Sequence, residues 1–99
     1  SIKIGGRFVN PILIEAELKT SLDCLNILAI PDQNTLCLYI LIFLSLDKET
    51  KQVSSQDVNE LISNYVSSKI KVKVMFINEK PKYLRSGKID RKYYTNTIL

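Results

Sequence analysis

The chain has 99 residues, of which 45% are hydrophobic and 24% charged, so it is long enough for one folded domain with a single modest core. Fourteen Lys and Arg against ten Asp and Glu give a net charge of +4, which suits an anionic ligand but is too small to indicate nucleic acid. The chain contains no histidine, which excludes imidazole acid–base catalysis and histidine metal ligation.

Two cysteines, Cys24 and Cys37, lie among apolar residues and predict buried, reduced thiols rather than a disulfide. Without histidine they cannot complete a tetrahedral zinc site, so we expect no metal ligands. The longest apolar run, residues 36–44, is far shorter than the roughly 20 residues that cross a bilayer, and no signal peptide is visible. We therefore expect a cytoplasmic protein without a membrane span. The chain opens at Ser1 directly into apolar alternation, which indicates a fragment that begins at a domain boundary.

Residues 2–9 predict a β-hairpin. Two short runs of alternating apolar and polar residues are separated by Gly5 and Gly6. A Gly-Gly step between such runs is typical of a tight turn, because glycine adopts positive φ without steric cost.

A helix is predicted from Pro11 to about Ser21. Asn10 can cap it, and Pro11 suits the first helical position because its missing N–H has no partner there. Apolar residues recur every four positions and form the face that should be buried. Glu15 and Lys19 are expected to pair on the exposed side.

Two strands should follow the helix. Cys24 to Ile30 is short and apolar and ends in a turn cluster at residues 31–34. Thr35 to Leu46 is a nearly continuous apolar run; a buried helix would produce it too, but the flanking turn and the neighbouring strand favour a central strand. The charged stretch from Asp47 to Gln52 predicts a disordered loop.

The second half of the chain predicts a helix, a strand and a short terminal helix. Ser54 and Asp57 form an N-terminal cap, and apolar residues at helical spacing run from Val58 to Ile70. The strand Lys71–Ile77 and a polar connection lead to a short helix over Asp90–Thr97. This order predicts an α+β domain: a small, mostly antiparallel sheet with two helices on one face, an N-terminal β-hairpin, and an exposed C-terminal loop before the short helix.

The segment with the strongest functional signal is residues 81–91, which reads PKYLRSGKIDR. Gly87 permits a sharp turn that presents Lys88 at a loop tip. Lysine is a compact charge on a long stem and suits a phosphate or carboxylate oxygen. Taken alone, a Gly-Lys step is typical of an ordinary solvated turn.

Residues 81–91 resemble the last core motif of the AMP-forming adenylating enzymes, which include acyl-CoA synthetases, adenylation domains of nonribosomal peptide synthetases and luciferases. The opening residues 2–15 resemble the other motif of the C-terminal subdomain in that family. Six positions match it: Lys3, Gly6, Val9, Pro11, Ile14 and Glu15. Phe8 departs from it, since many members carry Arg, Gln, Trp or Tyr there.

The resemblance implies that residues 1–99 are the C-terminal lid of a ligase. Such an enzyme activates a carboxylic acid with ATP and Mg²⁺ as an acyl-adenylate and passes it to the thiol of coenzyme A or of a carrier's phosphopantetheine. Lys88 matches the adenylation lysine. The family's phosphate-binding loop and its adenine and acyl pockets lie in a large N-terminal adenylation domain that this chain lacks, so the chain alone is expected to be inactive.

Five more residues receive a role from the resemblance. Gly5 and Gly6 would line the pantetheine path, and Gly87 would give the loop its mobility. Arg91 and Lys82 would assist phosphate binding. Both cations also have simpler interpretations, as solvated side chains or as ion-pair partners of nearby carboxylates (Asp90 or Glu79).

Two other classes of function compete with the ligase. A small sheet with two helices and a basic charge also describes RNA-recognition modules, which stack bases on aromatic residues at alternate strand positions. Here Tyr39, Phe43 and Phe76 lie inside leucine-rich runs, which indicates core packing, so we expect no nucleic-acid partner. The other alternative is a non-catalytic interaction domain that keeps the same fold.

Overall fold

A computed structural model describes residues 2–4, 6–44 and 54–99. The elements in chain order are β1 (Ile2–Ile4), β2 (Arg7–Val9), α1 (Pro11–Ser21), β3 (Asn26–Asp32), β4 (Cys37–Phe43), α2 (Ser55–Ile62), β5 (Lys71–Ile77) and α3 (Arg91–Ile98). Strands β1 and β2 form the predicted antiparallel hairpin. Gly5 and the stretch predicted to be a disordered loop lie outside the described residues.

The central sheet has three strands in the order β3-β4-β5. The pair β3–β4 is antiparallel, whereas β4–β5 is parallel, with Cys37 opposite Lys71. A parallel pair needs a long crossover, and the segment that contains α2 provides it. The predicted α+β class and the central position of the long apolar strand are confirmed. The parallel pairing of β5 makes the central sheet mixed.

The sheet separates two layers of core, because successive residues of a strand face opposite sides. Helices α1 and α2 cover one face, as predicted. The buried side chains on that face and in the hairpin are Ile4, Val9, Ile14, Leu18, Ile27, Ala29, Leu38, Ile40, Ile42, Val58, Ile62 and Ile70. The other face buries Leu28, Ile30, Leu41 and Phe43, against which Tyr94 and Ile98 of α3 pack.

Local signals set the ends of α1, whereas α2 is shorter than its pattern predicts. Helix α1 has the predicted bounds, and the Asn10 side chain accepts a hydrogen bond from the Leu13 N–H. Helix α2 ends at Ile62, although the apolar spacing continues to Ile70. Serine and asparagine follow directly, and the Ser63 hydroxyl donates to the Glu60 carbonyl at 2.9 Å. Such local bonds compete with the helical ladder, so the chain turns there while Ile70 still reaches the core.

The two cysteines are free thiols, as predicted. Cys37 is buried, but Cys24 is only half-buried, and its burial raises the pKa of its thiol above the usual value. Among the described residues, none of the helices has the length and apolar content needed to cross a membrane.

The capping box at α2 gives a test of how that helix begins. The Asp57 N–H donates to the Ser54 hydroxyl at 3.1 Å, and the Ser54 N–H donates to the Asp57 carboxylate at 3.0 Å. The bonds from Ser54 lower the pKa of Asp57 below its usual value. We expect Ser54→Ala to lower the free energy of unfolding by about 1 kcal/mol in urea denaturation, because the Asp57 N–H in the first turn of α2 loses its hydrogen-bond acceptor. The exposed neighbour Ser55 supplies a control, and equal effects of Ser54→Ala and Ser55→Ala would contradict the capping role.

Candidate functional site

Lys88 lies on an exposed loop between β5 and α3, here called the Lys88 loop (residues 82–90). The loop folds back on itself as a short hairpin. Tyr83 and Ile89 form an antiparallel bridge, and the Leu84 N–H donates to the Lys88 carbonyl at 2.7 Å. The Gly87 N–H closes the turn on the Leu84 carbonyl at 3.0 Å. The Lys88 side chain is therefore exposed at the end of an ordered turn.

Gly87 is required at that turn by its backbone conformation. Its φ is +85°, in the region that side-chain-bearing residues rarely adopt. A Cβ placed there would meet no atom within 4 Å, so space is not the constraint. The prediction that Gly87 allows a sharp turn before Lys88 is confirmed.

The base of the Lys88 loop is attached to α3. The Asp90 N–H donates to the Lys82 carbonyl at 2.8 Å, and the Lys82 N–H donates to the Tyr94 hydroxyl at 2.9 Å. The Asp90 carboxylate also caps α3 by accepting from the Tyr93 N–H at 3.1 Å. The Lys82 ammonium lies 4.1 Å from the centre of the Tyr93 ring, a cation–π distance. The loop thus has a base attached to α3 and an exposed tip.

Arg91, the first residue of α3, contacts α1 and β3. One guanidinium nitrogen, Nη2, lies 2.8 Å from Glu15 Oε1, and Nη1 donates to the Ala29 carbonyl at 3.1 Å. The second Glu15 oxygen accepts from the Ala29 N–H at 2.7 Å. We call these three residues the Ala29 clamp. The prediction that Glu15 pairs with Lys19 on the exposed side is wrong, because its carboxylate turns inward and remains only 15% exposed.

The Ala29 clamp joins the two motifs of the sequence. Glu15 ends the first motif and Arg91 ends the second, 76 positions later. Neither a pairing of Arg91 with Asp90 nor simple solvation describes this side chain, which is 39% exposed and bonded to two partners. Both residues belong to the sequence motifs, but the sequence did not predict that they form an ion pair with each other. The available signal was that both charged residues occupy matching positions of the two sequence motifs.

Gly6 lies in the turn of the hairpin β1–β2, apart from the Lys88 loop in sequence. Its φ is +82°, and a Cβ there would also meet nothing within 4 Å. Next to it, the Phe8 side chain is 72% exposed, and the Lys3 ammonium lies 5.7 Å from the centre of its ring. The structure therefore places Lys82, Gly87 and Lys88 on one loop and Gly6 on another. The predicted partner of Gly6, Gly5, lies outside the described residues.

A shallow cleft of about 170 Å³ lies beside the Ala29 clamp. Its lining includes Ile2, Pro11, Pro31 and Arg91 but not Lys88, so Arg91 and Lys88 do not share this cleft. Elsewhere in the described ranges, no three His, Cys, Asp or Glu side chains gather into a group that could hold a metal ion. The Lys88 loop presents three exposed cationic residues to an anion: Lys82, Arg85 and Lys88.

The strand aromatics do not form one stacking surface. Phe43 is fully buried and Tyr39 packs on the same face, beneath α3. Phe76 is 39% exposed, so the prediction of core packing is wrong for this residue. In the sheet register Phe76 lies opposite Ile42, whose side chain is on the face covered by α1 and α2. That face is the one turned away from Phe43 and Tyr39. An RNA-recognition sheet needs its aromatics side by side on an open face, and these three residues do not supply that.

The fold occurs in solved structures of ligases. The anthranilate CoA ligase AuaEII in complex with anthranoyl-AMP aligns over 97% of this chain and 19% of its own, with 22% identity and a TM-score of 0.66. ATP-bound MatB from Rhodopseudomonas palustris aligns over 97% and 19%, with 16% identity and a TM-score of 0.67. The Mycobacterium tuberculosis fatty acyl CoA synthetase aligns over 97% and 20%, with 22% identity and a TM-score of 0.59. No protein-family model matches the chain, and no curated protein is significantly similar in sequence.

The chain has the fold of a small part of the AMP-forming acyl-CoA and aryl-CoA ligases. The resemblance that the two motifs predicted is confirmed at the level of the fold. The chain spans 19–20% of the length of these three proteins, so their activities belong to much longer chains.

The Ala29 clamp predicts strong energetic coupling between its two charged side chains. We expect Glu15→Ala and Arg91→Ala each to lower the free energy of unfolding by about 1–2 kcal/mol, because each leaves one main-chain group of Ala29 without its partner and the remaining charge without its ion pair. The double variant should lose about 1 kcal/mol less than the sum of the two. Combining Glu15→Ala with Lys92→Ala, an exposed cation next to Arg91, should give additive losses. Additivity for Glu15 and Arg91 would show that the clamp contributes no coupling.

Proposed function

We propose that the chain is the small C-terminal subdomain of an ATP-dependent, AMP-forming acid–thiol ligase, and that Lys88 is its adenylation lysine. The observation that carries the proposal is the presentation of Lys88: a solvent-exposed ammonium at the tip of a loop whose base is fixed. Two sequence motifs and a fold found in ligases support it. Because the chain spans 19–20% of those proteins, the proposed partner is a large N-terminal adenylation domain.

The chemistry explains why a mobile, exposed lysine suits the first half-reaction. A carboxylate oxygen attacks the α-phosphorus of ATP, the bond from that phosphorus to pyrophosphate breaks, and an acyl-adenylate forms. The two reactants are both anionic and repel each other as they approach. The Lys88 ammonium would offset that repulsion, and its effect would grow as charge accumulates on the phosphoryl oxygens in the transition state.

The remaining cations have narrower proposed roles. Lys82 would add a positive charge near the base of the loop, held in place by the Tyr93 ring. Arg91 already contacts Glu15 and Ala29, so a contact with phosphate would need one of its remaining donors. Since the described residues offer no group of carboxylates for Mg²⁺, we propose that the metal is held by the phosphates and the larger domain.

For the second half-reaction we propose that the subdomain rotates and offers its hairpin. A thiol then attacks the acyl carbonyl carbon, and the bond to AMP breaks. Gly6 would line the path of the pantetheine arm, because the space beside its Cα is empty and a thin ligand can pass close to the backbone. We propose coenzyme A as the thiol, with a carrier's phosphopantetheine as the alternative.

Replacing Lys88 tests the first half-reaction. In the complete ligase, we expect Lys88→Ala to slow adenylation by about 10²–10³-fold, measured as ATP–pyrophosphate exchange with anthranilate and a series of straight-chain fatty acids. Thioester formation from supplied acyl-adenylate should persist. Lys92→Ala removes the same charge from an exposed position on α3 and should leave both rates unchanged. An equal loss of both half-reactions in Lys88→Ala would contradict the role of Lys88.

The two turn glycines offer a matched pair of variants. Gly6 and Gly87 have nearly the same φ, +82° and +85°, and equally empty surroundings. Gly6→Leu and Gly87→Leu should therefore carry a similar backbone strain of about 1–2 kcal/mol. We expect Gly6→Leu to slow thioester formation and Gly87→Leu to slow adenylation, each leaving the other half-reaction largely intact. Identical kinetic profiles would mean that only backbone strain had been measured.

A further inference from the structure

The Tyr94 side chain performs two separable tasks. Its ring packs edge-on against the buried Phe43, with the ring centres 5.2 Å apart and the planes at 69°. Its hydroxyl accepts the hydrogen bond from the Lys82 N–H at 2.9 Å. The ring therefore belongs to the core beneath α3, and the hydroxyl reaches out of that core to the main chain of the Lys88 loop.

The bond to Lys82 lies at the foot of a small ladder that ends at Lys88. The Lys82 carbonyl accepts from the Asp90 N–H at 2.8 Å, so both polar main-chain groups of Lys82 are occupied. Tyr83 and Ile89 form the next rung, and the Leu84 N–H bonded to the Lys88 carbonyl forms the last one. A shift at the foot of so short a ladder displaces its tip, because the rungs between are continuous.

We propose that Tyr94 is a positioning residue for Lys88: its hydroxyl fixes the Lys88 loop to the core so that the ammonium is presented in one direction. The inference rests on the proposed role of Lys88 and adds a residue that does not itself touch the reactants. The ring–ring contact with Phe43 sets where the hydroxyl lies, and the hydroxyl sets where the loop begins. A fixed loop base removes main-chain freedom that the reaction would otherwise have to restrict, so that the rotamers of the Lys88 side chain remain to be restricted.

Tyr94→Phe removes the hydroxyl and keeps the ring, so the core packing stays. In the 99-residue chain, amide hydrogen exchange at Lys82 should become about 5–10-fold faster, while exchange in β4 stays the same. In the complete ligase, adenylation of the acid that the unmodified enzyme activates should slow by about 3–10-fold, with thioester formation from supplied acyl-adenylate unchanged. Tyr65→Phe is the matched control, because it removes a tyrosine hydroxyl that bonds Glu17 near the other face of the sheet.

The readouts separate this inference from the proposed function. Unchanged exchange at Lys82, or an equal slowing of both half-reactions, would overturn the positioning role of Tyr94. The positioning role would also be overturned if Tyr65→Phe slowed adenylation and left thioester formation unchanged, as Tyr94→Phe is expected to do. The effect would then reflect general destabilisation. If Lys88→Ala leaves adenylation intact, the proposed function fails, and with it the positioning of a catalytic amine. Exchange at Lys82 would still decide whether the hydroxyl fixes the loop.

Discussion

The main chain of Ala29 sets the constraint on which the arrangement of the two motifs depends. Ala29 is fully buried on the outer strand β3, and both its N–H and its carbonyl are bonded to side chains. Buried main-chain groups need partners, since each unpaired group costs about 1–3 kcal/mol. Glu15 and Arg91 supply those partners and neutralise each other's charge at 2.8 Å. The start of α3 is thereby fixed against α1. Because the Lys88 loop ends where α3 begins, this contact also fixes the position of that end of the loop.

The core has two layers, and the base of the Lys88 loop contacts one of them, the layer under α3. Helices α1 and α2 share one face of the sheet, and α3 packs alone on the other through Tyr94 and Ile98. The Lys88 loop leaves β5 and enters α3, so its base rests on the second layer. Among the described residues, the Ala29 clamp is one connection between the larger layer and the start of α3. The Lys88 loop can therefore be exposed while its base stays attached to the core.

The features predictable from the sequence are those with local causes. Asn10 and Pro11 define the start of α1, Ser54 and Asp57 that of α2, and Gly87 the turn before Lys88, because each acts within three or four residues. The parallel partner of β5 was not predictable, since nothing in a strand's own residues states which neighbour it will join. The inward turn of Glu15 also escaped prediction. It depends on Arg91, 76 positions away, and on the needs of a third residue's main chain. The end of α2 was predictable only in part. Apolar residues at helical spacing continue to Ile70, beyond the end of the helix at Ile62, because a residue in a turn can also place its side chain in the core.

The Ala29 clamp also has a consequence for the outer edge of β3. An outer strand offers free main-chain groups that can recruit a strand from another molecule and begin aggregation. On β3, two charged side chains occupy those groups at Ala29. On β5, the other outer strand of the described sheet, the exposed Lys71 and Lys73 provide charge repulsion instead. Both outer strands of the described sheet thus carry features that oppose the addition of a strand from another molecule.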